Sequence, residues 1–338
     1  MKKNTATALL AFGGMLALIL DSKTTLLGAS QGITLCIRTL IPTLFPFFVL
    51  STLLTSSLTG LKLPFGGDGA YFLIGLLGGY PVGAKSIADS GARGGLSKEK
   101  AGRMIAFCNN AGPAFLFGIG MQLFENLWIC LLLWGIHILS AGMVAILTPA
   151  DKTKGSRISI SNPISLTEAV QASLKTMALV CGWVVLFRVL LSILSRWCLW
   201  MLPKLGISIV FGLLELSNGI LYLSEIPSVG LRFTLFSAYL AFGGLCVALQ
   251  TCSLIGGSGI SFRRYLPGKL TQTAISLLLS ALCQFAFPPE HRFLPAPVTI
   301  VIVLLICLCY RISWKKSKNS VDFDRRLLYN QEKKARSS

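Results

Sequence analysis

The sequence predicts an all-α polytopic membrane protein, with about eight transmembrane helices and two re-entrant helical hairpins in two inverted-topology repeats. Three observations predict this. Hydrophobic residues make up 53% of the chain and charged residues only 13%, where a soluble domain carries roughly 25% charge. Mean hydropathy is +0.70, and several apolar runs reach the ~18 residues that a span requires. Polar, glycine-rich interruptions also recur in both halves. The first set is Gly75–Gly83 with Met104–Pro113; the second is Gly212–Gly219 with Tyr239–Gly244 and Gln250-Thr251. Matching interruptions in two halves are the best sequence-level pointer to a transporter's binding site.

The elements follow in order. A span at 6–20 stands behind Lys2 and Lys3. It imitates a secretory signal, but Leu18, Ile19 and Leu20 are not the small residues that cleavage needs. A retained first anchor over 1–25 is expected. Repeat 1 occupies 26–150. It opens on an amphipathic segment, Leu26–Arg38, and continues through a span at 40–58, a hairpin at 70–89, a broken span at 98–122 and a closing span at 126–148. Repeat 2 occupies 151–290. It runs from the amphipathic segment Ser165–Lys175 through a span at 177–198, a hairpin at 206–225, a broken span at 230–255 and a closing span at 269–287. A last transmembrane helix lies in 291–314, at 297–313, and a basic cytoplasmic tail fills 315–338.

Each hairpin could cross once only if its central Gly/Pro/Asn cluster is ignored. Charge decides otherwise. With Lys2 and Lys3 inside and both hairpins re-entrant, the cytoplasm receives Lys62, the group Arg93, Lys98, Lys100 and Arg103, and the group Lys152, Lys154 and Arg157. It also receives Arg263, Arg264 and Lys269, read as a loop, and the tail from Arg311 to Arg336. The outside receives only Lys23, Arg196, Lys204, Arg232 and Arg292. Letting either hairpin span would export basic clusters, against the positive-inside bias. The expected topology is therefore multi-pass in the cell membrane, N-in and C-in, with hairpin tips meeting near the midplane from opposite faces. The net charge of +18 is explained by these loops, so nucleic acid is not an expected partner.

Ten cysteines show no metal-ligand spacing, and His137 and His291 stand apart. No nucleophile–base pair or metal-ligand set is visible, so neither an enzyme, a metal nor a cofactor is expected.

The candidate site residues sit at the interruptions. Gly78–Ser86 resembles a P-loop with one extra residue before its lysine, but the flanks are apolar helix rather than strand, which argues against nucleotide hydrolysis. In a hairpin, Gly79, Tyr80, Pro81 and Gly83 make a turn. The returning half-helix then aims its N-terminal amides at the cavity, and Lys85 adds a full charge; together they suit an anionic group. The alternative is a turn packed for shape, with Lys85 snorkelling to the surface. Asn109, Asn110 and Pro113 interrupt the broken span and would hydrogen-bond a substrate, or else satisfy a proline kink. Glu215, Ser217, Asn218 and Gly219 form the second tip. Glu215 could bind a coupling ion or pair with Arg188. Gln250 and Thr251 would supply neutral hydrogen bonds opposite the asparagines.

Gly79–Lys85, Phe107–Pro113 and Leu213–Gly219 are similar to the motifs of sporulation integral membrane proteins of the YlbJ/SpoVV type. These carry the gate, or nucleoside-recognition, domain also found in concentrative nucleoside transporters and spore-maturation membrane proteins. The resemblance covers roughly residues 30–285. It implies a transporter-like fold with inverted repeats, and for the SpoVV type it implies passage of dipicolinate, a small aromatic dicarboxylate, across the outer forespore membrane. The expected function is transport or facilitated passage of a small organic anion through the lipid bilayer. Coupling to a proton or sodium ion and a homo-oligomeric state are left open. A nucleoside-type transporter and a non-transporting sporulation membrane assembly protein are the alternatives.

Overall fold

A computed structural model describes residues 2–58, 66–148 and 164–284. Among the described residues every regular element is a helix, with no strand. Lys62, the group Lys152, Lys154 and Arg157, the last predicted span and the basic tail lie outside the described residues.

Helix α1 (Lys2–Leu20) and α2 (Ser22–Leu35) meet at Asp21, whose carboxylate caps α2 by accepting the Thr24 N–H. The chain bends by 98° there. The amphipathic segment that the sequence places at Leu26–Arg38 packs lengthwise on the long helix α9 (Leu166–Trp197), through Gly28 and Gly32. A Cβ on Gly28 would stand 2.8 Å from Ser192 Oγ, and one on Gly32 2.9 Å from Val185 Cα. This small-xxx-small stripe lets two backbones approach closely. Asp21 closes the far end of the contact through Arg196 (2.9 Å) and the Trp197 indole N–H (3.1 Å). A single π-helical turn, Cys36–Leu40, leads into α3 (Ile41–Leu58). Pro42 follows at once with no N–H to give Arg38, so the helix widens by one residue there.

The next two helices fold back on each other. α4 (Gly66–Gly78) ends at Gly79, whose φ of 78° reverses the chain, and α5 (Val82–Ala92) returns. Gly75 and Gly83 face each other across the pair, and both abut the Cys108 carbonyl, where a side chain would not fit. α6 (Lys98–Met104) starts on a Ser97 cap. The chain then leaves the helix until Gly112, and α7 (Pro113–Phe124) resumes with proline at its first turn. α8 (Leu127–Leu147) is capped by Asn126, which accepts from Trp128 and Ile129.

The second half opens on α9, started by a capping box between Ser165 and Glu168. Ser165–Lys175 is thus the first part of one continuous 32-residue helix, not a separate segment before a span. α10 (Lys204–Leu214) and α11 (Leu216–Leu221) form another folded-back pair around an extended Glu215. Here Gly219 sits directly on Gly212, and Ser208 Oγ donates to the Gly219 carbonyl at 3.0 Å. α12 (Val229–Phe242) stops at Gly243 and Gly244, both with φ of 81°, and α13 (Gly244–Ile255) continues. α14 (Tyr265–Cys283) completes the described residues. It begins four residues earlier than the sequence suggests. Lys269 is therefore inside a helix and buried, not in a cytoplasmic loop.

Among the described residues, three helical stretches are long and apolar enough to cross a membrane: Leu127–Leu147, Leu166–Trp197 and Val229–Ile255. The bent pair formed by Thr5–Leu20 and Ser22–Leu40 makes a fourth candidate. Four shorter apolar helices, Leu44–Ser57, Gly69–Gly78, Pro113–Phe124 and Lys204–Leu214, pack among them. Large apolar side chains also cover the outside, with Leu10 at 78%, Trp128 at 76% and Ile146 at 83% exposure. Such a surface is at home in lipid and not in water.

Candidate functional site

The two folded-back tips seat on the two breaks. At the first, Gly79 lies against Gly112: a Cβ on Gly79 would come 2.9 Å from the Gly112 nitrogen. At the second, Gly244 lies against Leu214, Glu215 and Leu216, with atoms at 3.2–3.4 Å from a would-be Cβ. The first tip also crosses to the second break, where the Tyr80 hydroxyl donates to the Leu240 carbonyl at 2.9 Å. Backbone this close leaves no room for side chains, which is why glycine stands at each contact.

Between the tips lies a cavity of about 430 Å³, within the range of small-molecule sites. Of the candidate residues named from the sequence, Gly79, Tyr80, Glu215, Ser217, Asn218 and Gln250 line it. The others stand off the lining. Pro81, Gly83 and Lys85 belong to α5 and its start, and Pro113 opens α7. Asn109, Asn110 and Thr251 are fully buried behind the wall, and Gly219 is spent on the α10–α11 contact. New to the site are Gln31, Thr39 and Gln122, which add neutral polar groups, and Arg188 from α9.

The charges divide clearly. Glu215 caps α11: its carboxylate accepts the Ser217 N–H (3.1 Å), the Asn218 N–H (2.9 Å) and the Asn218 amide (2.6 Å). Its lone pairs serve the backbone of the tip, and no ion pair joins it to Arg188. The pairing of Arg188 with Glu215 weighed from the sequence is thus absent, although both residues line the same cavity. Among the described residues the Arg188 guanidinium has no carboxylate within 4.0 Å. Lys85 is the opposite case. It is 3% exposed, pairs with Asp89 at 2.5 Å and donates to Thr52 Oγ1 at 2.7 Å. It neither snorkels nor faces the cavity. The first amides of α5 are also occupied: Val82 donates to Gly79 and Ala84 to Asn109.

The buried asparagines knit the halves together. Asn109 Nδ2 donates to Thr251 Oγ1 at 2.8 Å, joining the first break to α13. Asn110 Oδ1 accepts from Gln272 (3.1 Å) and Lys269 (3.4 Å) on α14. Sequence reasoning missed Lys269 because it was counted as a loop residue. The available signal was helical spacing: Lys269, Gln272, Ser276 and Ser280 fall on one α14 face, all of them fully buried.

Fold and site together define a helical membrane protein with a cavity lined by both folded-back tips. The chain is similar to the sporulation integral membrane protein YlbJ of Bacillus subtilis, at 25% identity over 300 residues, 72% of this chain and 74% of the relative. That likeness supports a YlbJ-type assignment. No family model matches the chain, and no solved structure matches it.

Proposed function

We propose that this protein carries a small organic anion across a membrane, with dipicolinate as the leading substrate, and that it does so in a sporulation setting like that named for its relative. One observation carries the reading. The cavity between the two tips is lined by Arg188, a cation without a carboxylate partner among the described residues, while the carboxylate beside it is engaged in capping. A carboxylate bound there would complete the missing pair through charge-assisted hydrogen bonds. Ser217, Asn218, Gln250, Gln31 and Gln122 would supply the neutral contacts that fix orientation.

In this reading the folded-back pairs are re-entrant hairpins, the two halves are inverted repeats, and the termini lie inside. Supporting it are the like construction of both halves and the glycine contacts at equivalent places: Gly75 with Gly83, and Gly212 with Gly219. Broken helices at a midplane site are how transporters combine polar backbone with a lipid setting.

The test is uptake by proteoliposomes holding the purified chain, offered labelled pyridine-2,6-dicarboxylate and, separately, adenosine and uridine. Saturable uptake of the dicarboxylate, not competed by nucleosides, is expected. Preferential nucleoside uptake would overturn the substrate class. No uptake of either would overturn transport in favour of an assembly role.

A further inference from the structure

Behind the cavity wall stands a fully buried cation, Lys269 on α14. Three oxygens surround its ammonium: Gln272 Oε1 at 2.8 Å, the Tyr80 hydroxyl at 3.3 Å and Asn110 Oδ1 at 3.4 Å. Each accepts. The Tyr80 hydroxyl spends its proton on the Leu240 carbonyl. The Asn110 and Gln272 amide nitrogens donate elsewhere, to the Phe107 carbonyl and to Asn110. The Tyr80 ring lies 5.1 Å from Nζ, a cation–π distance. The cradle therefore holds a lysine that is charged before any ligand arrives. These partners are all neutral, and among the described residues no carboxylate lies within 4.0 Å of Nζ. A buried ion without its opposite is costly in a membrane protein, and such residues mark solute pathways.

The sign of the cavity depends on this residue. The charged side chains on the lining are Arg188 and Glu215. They are equal and opposite, so the lining by itself carries no net charge. Lys85 is neutralised by Asp89. Lys269 is the charge left over, and it stands one side chain from the cavity. Tyr80 lines the cavity and touches Nζ. Asn110 adjoins Ala111 and Gly112, which also line the cavity. With Lys269 buried and no counter-charge beside it, its field reaches the cavity with little screening.

We propose that Lys269 is a specificity-determining residue. It is a fixed ammonium behind the wall that gives the cavity its net positive charge and sets its preference for dianions over monoanions. Arg188 meets one carboxylate directly. Lys269 touches no ligand and favours the second negative charge through space. The substrate class that follows is a compact dianion, with two acidic groups on one small body. This rests on the proposed anion site and names what sets its charge selectivity.

The experiment is isothermal titration of the detergent-solubilised chain, at neutral pH, with three ligands of one shape: pyridine-2,6-dicarboxylate, its monoamide and its diamide. They carry two, one and no negative charges. Two unit charges about 12 Å apart, at an effective dielectric of about 20, are worth about tenfold in affinity. Lys269→Gln should therefore weaken the dicarboxylate about 100-fold, the monoamide about 10-fold and the diamide less than about 2-fold. Gln272→Glu brings a carboxylate to the ammonium without removing the lysine. It should give the same graded pattern, which can be read even where Lys269→Gln does not fold. Lys269→Arg keeps the charge and should keep the wild-type ratio of dicarboxylate to monoamide affinity within about threefold. A role in packing alone would weaken all three ligands alike. An unchanged ratio in Lys269→Gln or Gln272→Glu would overturn the proposal and leave the anion site standing. So would a wild type that binds the monoamide as tightly as the dicarboxylate. A wild type that binds none of the three would overturn both readings.

Discussion

Arg188 and Glu215 face one cavity but do different work, and single substitutions should separate them. Arg188 has no carboxylate partner among the described residues to lose. Arg188→Gln should therefore leave melting temperature nearly unchanged and weaken dicarboxylate binding by about 10–100-fold, the worth of a charge-assisted bond or two. Glu215 holds three N–H groups of its own tip, so Glu215→Ala should cost about 1–2 kcal/mol of stability, as loss of a strong cap does. The double variant should be additive within about 0.5 kcal/mol, as for residues that share no direct bond. A coupling energy near ~3 kcal/mol in that cycle would show an ion pair instead. Lys85 gives the converse expectation. Its bonds to Asp89 and Thr52 make it a structural cation. Lys85→Ala should lower the melting temperature and leave anion affinity within about twofold, since only groups touching the ligand change its binding strongly. A large loss of affinity with unchanged stability would return Lys85 to the binding site.

The folded-back pairs depend on glycine for different reasons at different places, and this can be read element by element. Gly219 lies on the Gly212 backbone, and Gly75 lies on the Cys108 carbonyl; neither site has a flexible side chain that could give way. Gly219→Ala and Gly75→Ala should each prevent the pair from closing, seen as a large fall in melting temperature or a loss of monodisperse protein. Gly135 in α8 and Gly182 in α9 have nothing within 4 Å of a would-be Cβ. Alanine there should be neutral or stabilising by up to about 1 kcal/mol, since glycine is the weaker helix former. If all four alanines behave alike, the close contacts are not what holds the pairs.

At the scale of the whole molecule, the interruptions were legible because Gly, Pro and Asn clusters in apolar runs have few other uses. The turn at Gly79, the break before Pro113, the break at Gly243-Gly244 and the tip at Glu215 all fall where those residues predict. The continuity of α9 was not legible, because Ser165–Lys175 carries polar residues that look like a separate surface segment; its capping box is a helix start, but nothing local says that the helix runs on to Trp197. The α2–α9 contact was hidden for the same reason: Gly28 and Gly32 have meaning only once Val185 and Ser192 lie opposite. Lys85 and Lys269 misled in opposite senses. A lysine's charge is visible in sequence, but whether Asp89 or three neutral oxygens meet it is a tertiary fact. The predicted orientation makes its own test: a cysteine at Ser97, ahead of α6, should react with impermeant thiol reagent only from the cytoplasmic side. Labelling from outside would invert the proposed topology.

The central claim is that the cavity between the tips is where the anion binds. Ser217 lines that cavity from the second tip. A Ser217→Cys protein should be modified there by a small thiol reagent, with the site read by mass spectrometry to set aside the exposed Cys198 and Cys252. Pyridine-2,6-dicarboxylate should slow modification at position 217 by about 10-fold or more at saturating concentration, as occupancy requires. The protection should vanish when Arg188→Gln is added. Uptake of the dicarboxylate by the same protein, with modification at 217 proceeding at an unchanged rate, would contradict the account.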